Sequence, residues 1–296
     1  MTKKLDVLII NAEDHNSIYQ ELGDSLAALE PPVWAGLIAT FIRNKGYTVE
    51  ILDTAVEFSE DELKIASKEV LVASRIIARH IELVVFPVYG HQPSSSTQNM
   101  SFATKIIEVI KARKLWQKIL ILGNHPSALP RRTLLETEAD YVAKCEGVWT
   151  IIDLLEHKDL KDVRGLVYFD YSKVATDALN FKEAQEFFVS YGTEAKNLTE
   201  NELNNDMPEV AWDLLKMDRY RAHNWHCLGF TDKRTPYASI YTSLSCNFKC
   251  SFCMIHSIFG NDYKMRLWSV ENIIKQIDKL YHQYGVRNIK ITDEMF

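Results

Sequence analysis

Short, continuously apolar runs alternating with helical spacing constrain this chain more than any other feature. The run LDVLII at residues 5–10 suits a strand buried on both faces of a parallel sheet. Residues 32–47 (PVWAGLIATFIRNKGY) carry Pro near the start, helical apolar spacing and Gly46 at the expected stop. They lead into a second apolar run, TVEILD.

The alternation continues with a helix over 62–80, a strand at 81–88 (IELVVFPV), a helix over 101–115 and a strand at 118–123 (KILILG). A short strand at 141–145 (YVAKC) and a helix over 148–157 follow. This order predicts an α/β fold with a doubly wound, flavodoxin-like parallel sheet, whose ligand crevice lies beyond the carboxyl ends of the strands. The loops there are NAEDHNSIYQELGDS, YGHQPSSSTQNM and GNHPSALP, two of them rich in residues that hydrogen-bond without charge. No G-x-G-x-x-G follows the first strand, so the dinucleotide fingerprint is absent.

At 296 residues and 47% hydrophobic content the chain is long enough for two domains with real cores. A formal charge of -6 and no basic stripe argue against nucleic acid as a partner. No apolar stretch approaches the ~20 residues of a membrane span, and no signal-peptide pattern precedes the first strand. Five Cys, three of them clustered, suit a reducing compartment, and the expected location is the cytoplasm.

The clustered thiols are Cys246, Cys250 and Cys253, directly after the strand-like run YASIYTSL. Three thiolates on one loop can hold three irons of a 4Fe-4S cluster and leave the fourth to an exogenous chelator. A closed zinc knot that adds His256 is the alternative reading of the same spacing. A helix over 269–285, capped by Ser269 and stopped at Gly285, and a strand ending in TDEMF complete the carboxyl-terminal part.

Between these parts, residues 159–234 read as a short hairpin (VRGLVYFD), a charged connector and a docking helix over 208–220. His223, Asn224, Trp225 and His226 either line a pocket or pack a seam with the Trp inward; seam packing is the expectation.

The C-x3-C-x2-C loop with Phe252 before its last Cys resembles the cluster loop of radical S-adenosylmethionine enzymes. The segments 31–53, the Gln-Pro-Ser loop, GNHPSALP and ADYVAKCEG together resemble the cobalamin-binding domain that precedes many such barrels. These resemblances imply a cobalamin-binding domain at 1–158, a hairpin and connector at 159–234, and the beginning of a radical S-adenosylmethionine (β/α) barrel at 235–296. A flavodoxin-like module that binds nothing is the alternative for the first part.

The resemblance implies a 4Fe-4S cluster on Cys246, Cys250 and Cys253, with Phe252 against the adenine of S-adenosylmethionine and Asp293 or Glu294 on its amino group. It places cobalamin beside Ser94, Ser95, Thr97, Gln98, Gly123, His125 and Ser127. Asp14 and His15 are adjacent where histidine-ligating cobalamin domains carry D-x-H-x-x-G, so cobalt is expected to have no His ligand.

The implied activity is methylation of an unactivated centre in a small-molecule or biosynthetic-intermediate substrate, by a 5′-deoxyadenosyl radical and methylcobalamin, with an external electron donor. The alternatives are another radical rearrangement with the same cofactors, or a cobalamin-binding module without activity of its own. A barrel unit takes about 30 residues, so residues 236–296 supply about two units of the family's roughly six. The expectation is an amino-terminal piece of a longer protein, or a barrel completed by another chain.

Overall fold

The computed structural model describes residues 4–14, 27–90, 95–173, 188–227, 231–260 and 264–295. The chain runs β1 (Leu5–Asn11), α1 (Val33–Asn44), β2 (Val49–Asp53), α2 (Glu60–Ile65), α3 (Lys68–Ile77), β3 (Ile81–Val88), α4 (Ser95–Arg113) and β4 (Lys118–Gly123). It continues through α5 (Asn124–Ala128), α6 (Pro130–Glu136), β5 (Tyr141–Ala143), α7 (Val148–Leu155), β6 (Leu166–Phe169), β7 (Val189–Tyr191) and α8 (Glu200–Asp206). The last elements are β8 (Tyr237–Ile240), β9 (Ser243–Leu244), α9 (His256–Phe259), β10 (Arg266–Leu267), α10 (Val270–Tyr284) and β11 (Asn288–Ile291).

The sheet order is β2-β1-β3-β4-β5-β6-β7, and the first five strands are parallel. That is the flavodoxin-like order, in which the reversal between β1 and β3 opens a crevice at the strand ends. The sheet is not wholly parallel, however. The hairpin strands β6 and β7 extend it antiparallel beyond β5, with Val167 opposite both Val142 and Tyr191.

Three local expectations change. The helix over 62–80 is two helices, because Ala66 and Ser67 adopt extended backbone and turn α3 so that Val72, Ala73 and Ile76 face the sheet. The charged connector contains α8, started by a capping box in which Thr199 accepts from the Glu202 amide and the Glu202 carboxylate accepts from the Thr199 amide. The docking helix over 208–220 is only a short 3-10 turn at Trp212–Leu214. There the chain is held by α1 instead: the Ala211 amide donates to the Gly36 carbonyl at 3.1 Å. A Cβ at Gly36 would sit 2.3 Å from Val210 Cγ1, so the close approach requires glycine.

One hydrophobic core runs from Val7 and Ile9 through Trp34, Phe41 and Trp212 to Leu280 and Val286, joining the large sheet to the β8–β11 pair. The opposite sheet face is closed by Val72, Ile76, Ile106 and Ile110 from α3 and α4. β11 pairs in parallel with β8, with Lys290 opposite Ser239. The buried Glu30 joins both strands to the segment before α1: it accepts from Ser239 Oγ at 2.7 Å and pairs with Lys290 Nζ at 2.9 Å. Among the described residues no helix is long and apolar enough to cross a membrane.

Lys290→Met strands the Glu30 charge in a buried position, and part of the penalty is relieved because the lysine side chain is 31% exposed. The expected loss is about 2 kcal/mol of unfolding free energy by urea titration, largely recovered in Glu30→Gln with Lys290→Met.

Candidate functional site

The parallel topology brings the carboxyl ends of β1, β3 and β4 to one edge of the large sheet, facing the carboxyl ends of β8 and β11. A cleft between the two edges is lined by Asn11 and Glu13 beyond β1, Tyr89 and Gly90 beyond β3, and Tyr241 and Thr292 beyond β8 and β11. Trp34 of α1 forms its floor. Its indole stacks on Tyr89 with centroids 4.2 Å apart and planes 9° apart, and meets Tyr241 at 6.0 Å and Phe259 at 6.3 Å. Offset aromatic contacts of this kind bury large apolar areas with fixed geometry.

Carboxylates are sequestered around this floor. Asp53 accepts from Asn11 Nδ2 and from the Tyr220 hydroxyl, each at 2.9 Å, and burial together with the nearby Glu13 pushes its acid up to about 6. Glu294 lines the adjoining cavity with Trp34, Tyr89 and Phe259. Burial, and then the neighbouring Asp293, push it up to about 7. The two acidic residues beyond β11 are thus separated in role. Asp293 accepts from the Thr242 amide at 2.7 Å, from Ser243 Oγ at 2.9 Å and from the Thr242 hydroxyl, which ties it to the turn before the Cys loop. Glu294 is the one that faces the cleft.

The Cys loop leaves β9 through Ser245, a buried non-glycine residue at φ 77. Cys246 is half-buried, and Cys250 and Cys253 are exposed, with the Cys253 amide closing a turn onto the Cys250 carbonyl at 3.1 Å. The Phe248 amide donates to Cys246 Sγ at 3.5 Å. Phe252 is 91% exposed at the loop tip. His256 turns its Nε2 to the Phe248 carbonyl at 2.8 Å. Among the described residues no three His, Cys, Asp or Glu side chains lie close enough to hold one metal ion.

The loops beyond β3 and β4 meet each other. Ser94 and His15 lie outside the described residues. Ser95, Thr97 and Gln98 occupy the first turns of α4 rather than a loop, and GNHPSALP folds as β4's last residue, α5 and the start of α6. Neither stretch has a residue that stops a helix at its centre, Pro126 sitting where a first turn tolerates it. Thr97 Oγ1 lies 3.1 Å from His125 Nδ1, and burial, then Arg132, lower the His125 pKa, favouring the neutral ring. Ser96 accepts from the His125 amide at 3.0 Å and donates to the Val88 carbonyl. Gly123 has φ 133, and a Cβ there would lie 2.1 Å from the Val88 carbonyl oxygen, so β3 and β4 end close together only with glycine. Ser127 donates to the Cys145 carbonyl at 3.4 Å, and Gln98 is exposed.

The aromatic floor and the buried Glu13 and Asp53 escape sequence reasoning, although a carboxylate ending TVEILD was a legible hint for Asp53. The His223 region differs from the seam expectation. Trp225 is 80% exposed and stands edge-on to His223 at 5.7 Å, while the neighbouring Cys227 is the buried member, packed with Ala222 and Tyr237.

Because Glu294 and Asp53 hold their protons more tightly folded than unfolded, their contribution to stability is full below pH about 4 and lost as pH rises through about 6 to 7. Glu294→Gln should flatten the upper part of that decline in urea midpoints measured from pH 5 to 8; an unchanged slope would count against a proton held on Glu294 by its half-buried position.

No protein-family model matches the chain. It is 23% identical over 304 residues to an uncharacterized methyltransferase of Pyrococcus horikoshii, spanning 99% of this chain and 54% of that protein. It is 21% identical over 277 residues to the cytidylyl-2-hydroxyethylphosphonate methyltransferase of Streptomyces wedmorensis, spanning 89% and 51%. A 51-residue stretch, 16% of the chain, is 45% identical to a GTP 3',8-cyclase of Staphylococcus epidermidis. The chain spans about half the length of the first two relatives.

Among solved structures, the radical S-adenosylmethionine methyltransferase TsrM from Kitasatospora setae, with cobalamin and a [4Fe-4S] cluster bound, superposes with a TM-score of 0.61 at 15% identity. It covers 99% of this chain and 48% of that one. The cobalamin-dependent S-adenosylmethionine radical enzyme OxsB, with aqua-cobalamin bound, gives 0.64 at 17% identity, covering 99% and 34%. Over nearly its whole length, the chain has the fold of cobalamin-dependent radical S-adenosylmethionine enzymes.

Proposed function

We propose that this chain forms the cofactor-binding part of a cobalamin-dependent radical S-adenosylmethionine methyltransferase. The observation that carries the reading is the meeting of two sets of strand ends at one aromatic-floored cleft beside an all-thiol loop. Cys246, Cys250 and Cys253 would hold three irons of a 4Fe-4S cluster, leaving the fourth to S-adenosylmethionine. Phe252 supplies an exposed aromatic face for the adenine, and Glu294 a carboxylate for the amino group. Asp293 orients the turn that carries the loop. Cobalamin would sit beyond β3 and β4, beside Ser94, Ser95, Thr97, Gln98, Gly123, His125 and Ser127.

When bound, these groups supply one-electron cleavage of the sulfonium and a transferable methyl group. The chain itself supplies position and a dry floor: Trp34, Tyr89 and Tyr241 are each buried and keep water from the centre of the cleft. The His125 ring is bonded to Thr97 through Nδ1, which fixes its orientation at the end of β4. The domain division is 1–158 for cobalamin, 159–234 as hairpin and connector, and 235–296 for the barrel start. The substrate is a small molecule or biosynthetic intermediate, an external donor provides electrons, and a reducing cytoplasm suits five free thiols.

Anaerobic reconstitution with iron and sulfide should load about four irons per chain, and Ala at Cys246, Cys250 or Cys253 should each lower the cluster signal in electron paramagnetic resonance, read after reduction with dithionite, roughly tenfold or more, on the order expected for a lost ligand. His256→Ala should retain the cluster; zinc binding lost in that variant, without iron uptake, would sink the reading. Formation of 5′-deoxyadenosine and a product heavier by one methylene separate methyl transfer from a rearrangement.

Bound cobalamin should show the same visible spectrum in the parent, His15→Ala and His125→Ala. A band shift in either variant would put a histidine on cobalt.

A further inference from the structure

Glu146 is fully buried just beyond β5, on the sheet side of the molecule, yet its side-chain partners lie on β10 and in the connector. Its carboxylate Oε1 forms an ion pair with Arg266 Nη2 at 2.6 Å without the alignment of a hydrogen bond, while Oε2 accepts from the Leu198 amide at 2.7 Å. Arg266 lies on β10, which pairs with β9 immediately before the Cys loop, and is opposite Leu244. The guanidinium also donates to the Leu198 carbonyl at 2.6 Å and lies 5.4 Å from the Phe259 ring of α9, the helix that follows the loop.

A second strap leaves the same residue. The Glu146 amide donates to Asn197 Oδ1 at 3.3 Å, and Asn197 Nδ2 donates to the Ile258 carbonyl of α9 at 3.1 Å. The Glu146 carbonyl accepts from the Tyr89 hydroxyl at 3.0 Å, and Tyr89 is the ring stacked on Trp34. Both ends of the Cys loop are therefore referred to one residue, which is itself bonded to the cleft floor. A charged pair with its carboxylate fully buried is costly to desolvate and often adds little stability over an apolar replacement, whereas its fixed geometry can select one arrangement.

We propose that Glu146 and Arg266 are a positioning pair that sets the Cys loop at a fixed place relative to the carboxyl edge of the large sheet. The loop's task as a cluster site rests on the functional reading above; its placement by the pair does not. Without the pair, β10 loses its tie to the sheet side and the half-buried Cys246 becomes as open as its two neighbours.

The test is the rate of iodoacetamide modification of each cysteine in the metal-free protein, followed by mass spectrometry. The buried Cys227 reports whether the molecule as a whole stays folded. Glu146→Gln leaves the Arg266 charge buried, and it alone could unfold the chain. The double variant Glu146→Gln with Arg266→Met removes both charges and is the deciding protein.

In it, Cys246 should react about tenfold faster than in the parent, while Cys227 stays protected and Cys250 and Cys253 change little. After reconstitution, the same variant should give a broadened cluster signal. A Cys246 rate equal to the parent's in the folded double variant overturns the proposal, and so does an equal rise at Cys227, which would make the pair a general stabiliser. Failure of the parent to take up a cluster would refute the functional reading and leave the thiol rates to judge the pair.

Discussion

The stack of Trp34 on Tyr89 is the contact on which the remaining architecture depends. It brings together α1, the end of β3 and, through Tyr241 and Phe259, the end of β8 and the helix after the Cys loop. Apolar rings at this junction let the carboxyl edges of two sheets approach without a water layer between them. The electrostatics follow from that dryness. Asp53 and Glu294 are raised chiefly because the seam removes solvent from them, and each then feels a second carboxylate, Glu13 or Asp293.

Rigid and open parts of the site are distributed unequally. The sheet side is closed by apolar packing and glycine-dependent approaches such as Gly123 against Val88. The Cys loop exposes two of its three thiols together with Phe248 and Phe252, and it is held at its ends by Asp293, Asn197 and Arg266. Under the proposed function, such a loop would take a bulky inorganic group and a second ligand while the scaffold beneath gives its residues their position.

Much of the fold could be read from periodicity. The runs LDVLII, TVEILD, IELVVFPV and KILILG are strands because burial on both faces demands uninterrupted apolar side chains. Errors fell where tertiary contacts outweigh local pattern. Residues 208–220 have helical spacing but are drawn onto Gly36 and Gln276 instead, the Gln276 side chain accepting from the Val210 amide at 3.0 Å. Helix α8 has one fully buried apolar residue, Leu203, so periodicity missed it although Thr199 and Glu202 spelled out its start. The exposed Trp225 shows the reverse case, since residue type alone carries no information about which face a chain presents.

The sequence by itself determined the alternation of the first five strands with their main helices, the thiol spacing of Cys246, Cys250 and Cys253, and the acidic pair after the last strand, because each depends on neighbours in the chain. Tertiary structure decided what those residues face. Only folding could divide Asp293, bound to the β8–β9 turn, from Glu294, turned to the cleft. Likewise Glu146 meets Arg266 only in space, 120 positions along the chain, through a buried charge pair and not by any local rule.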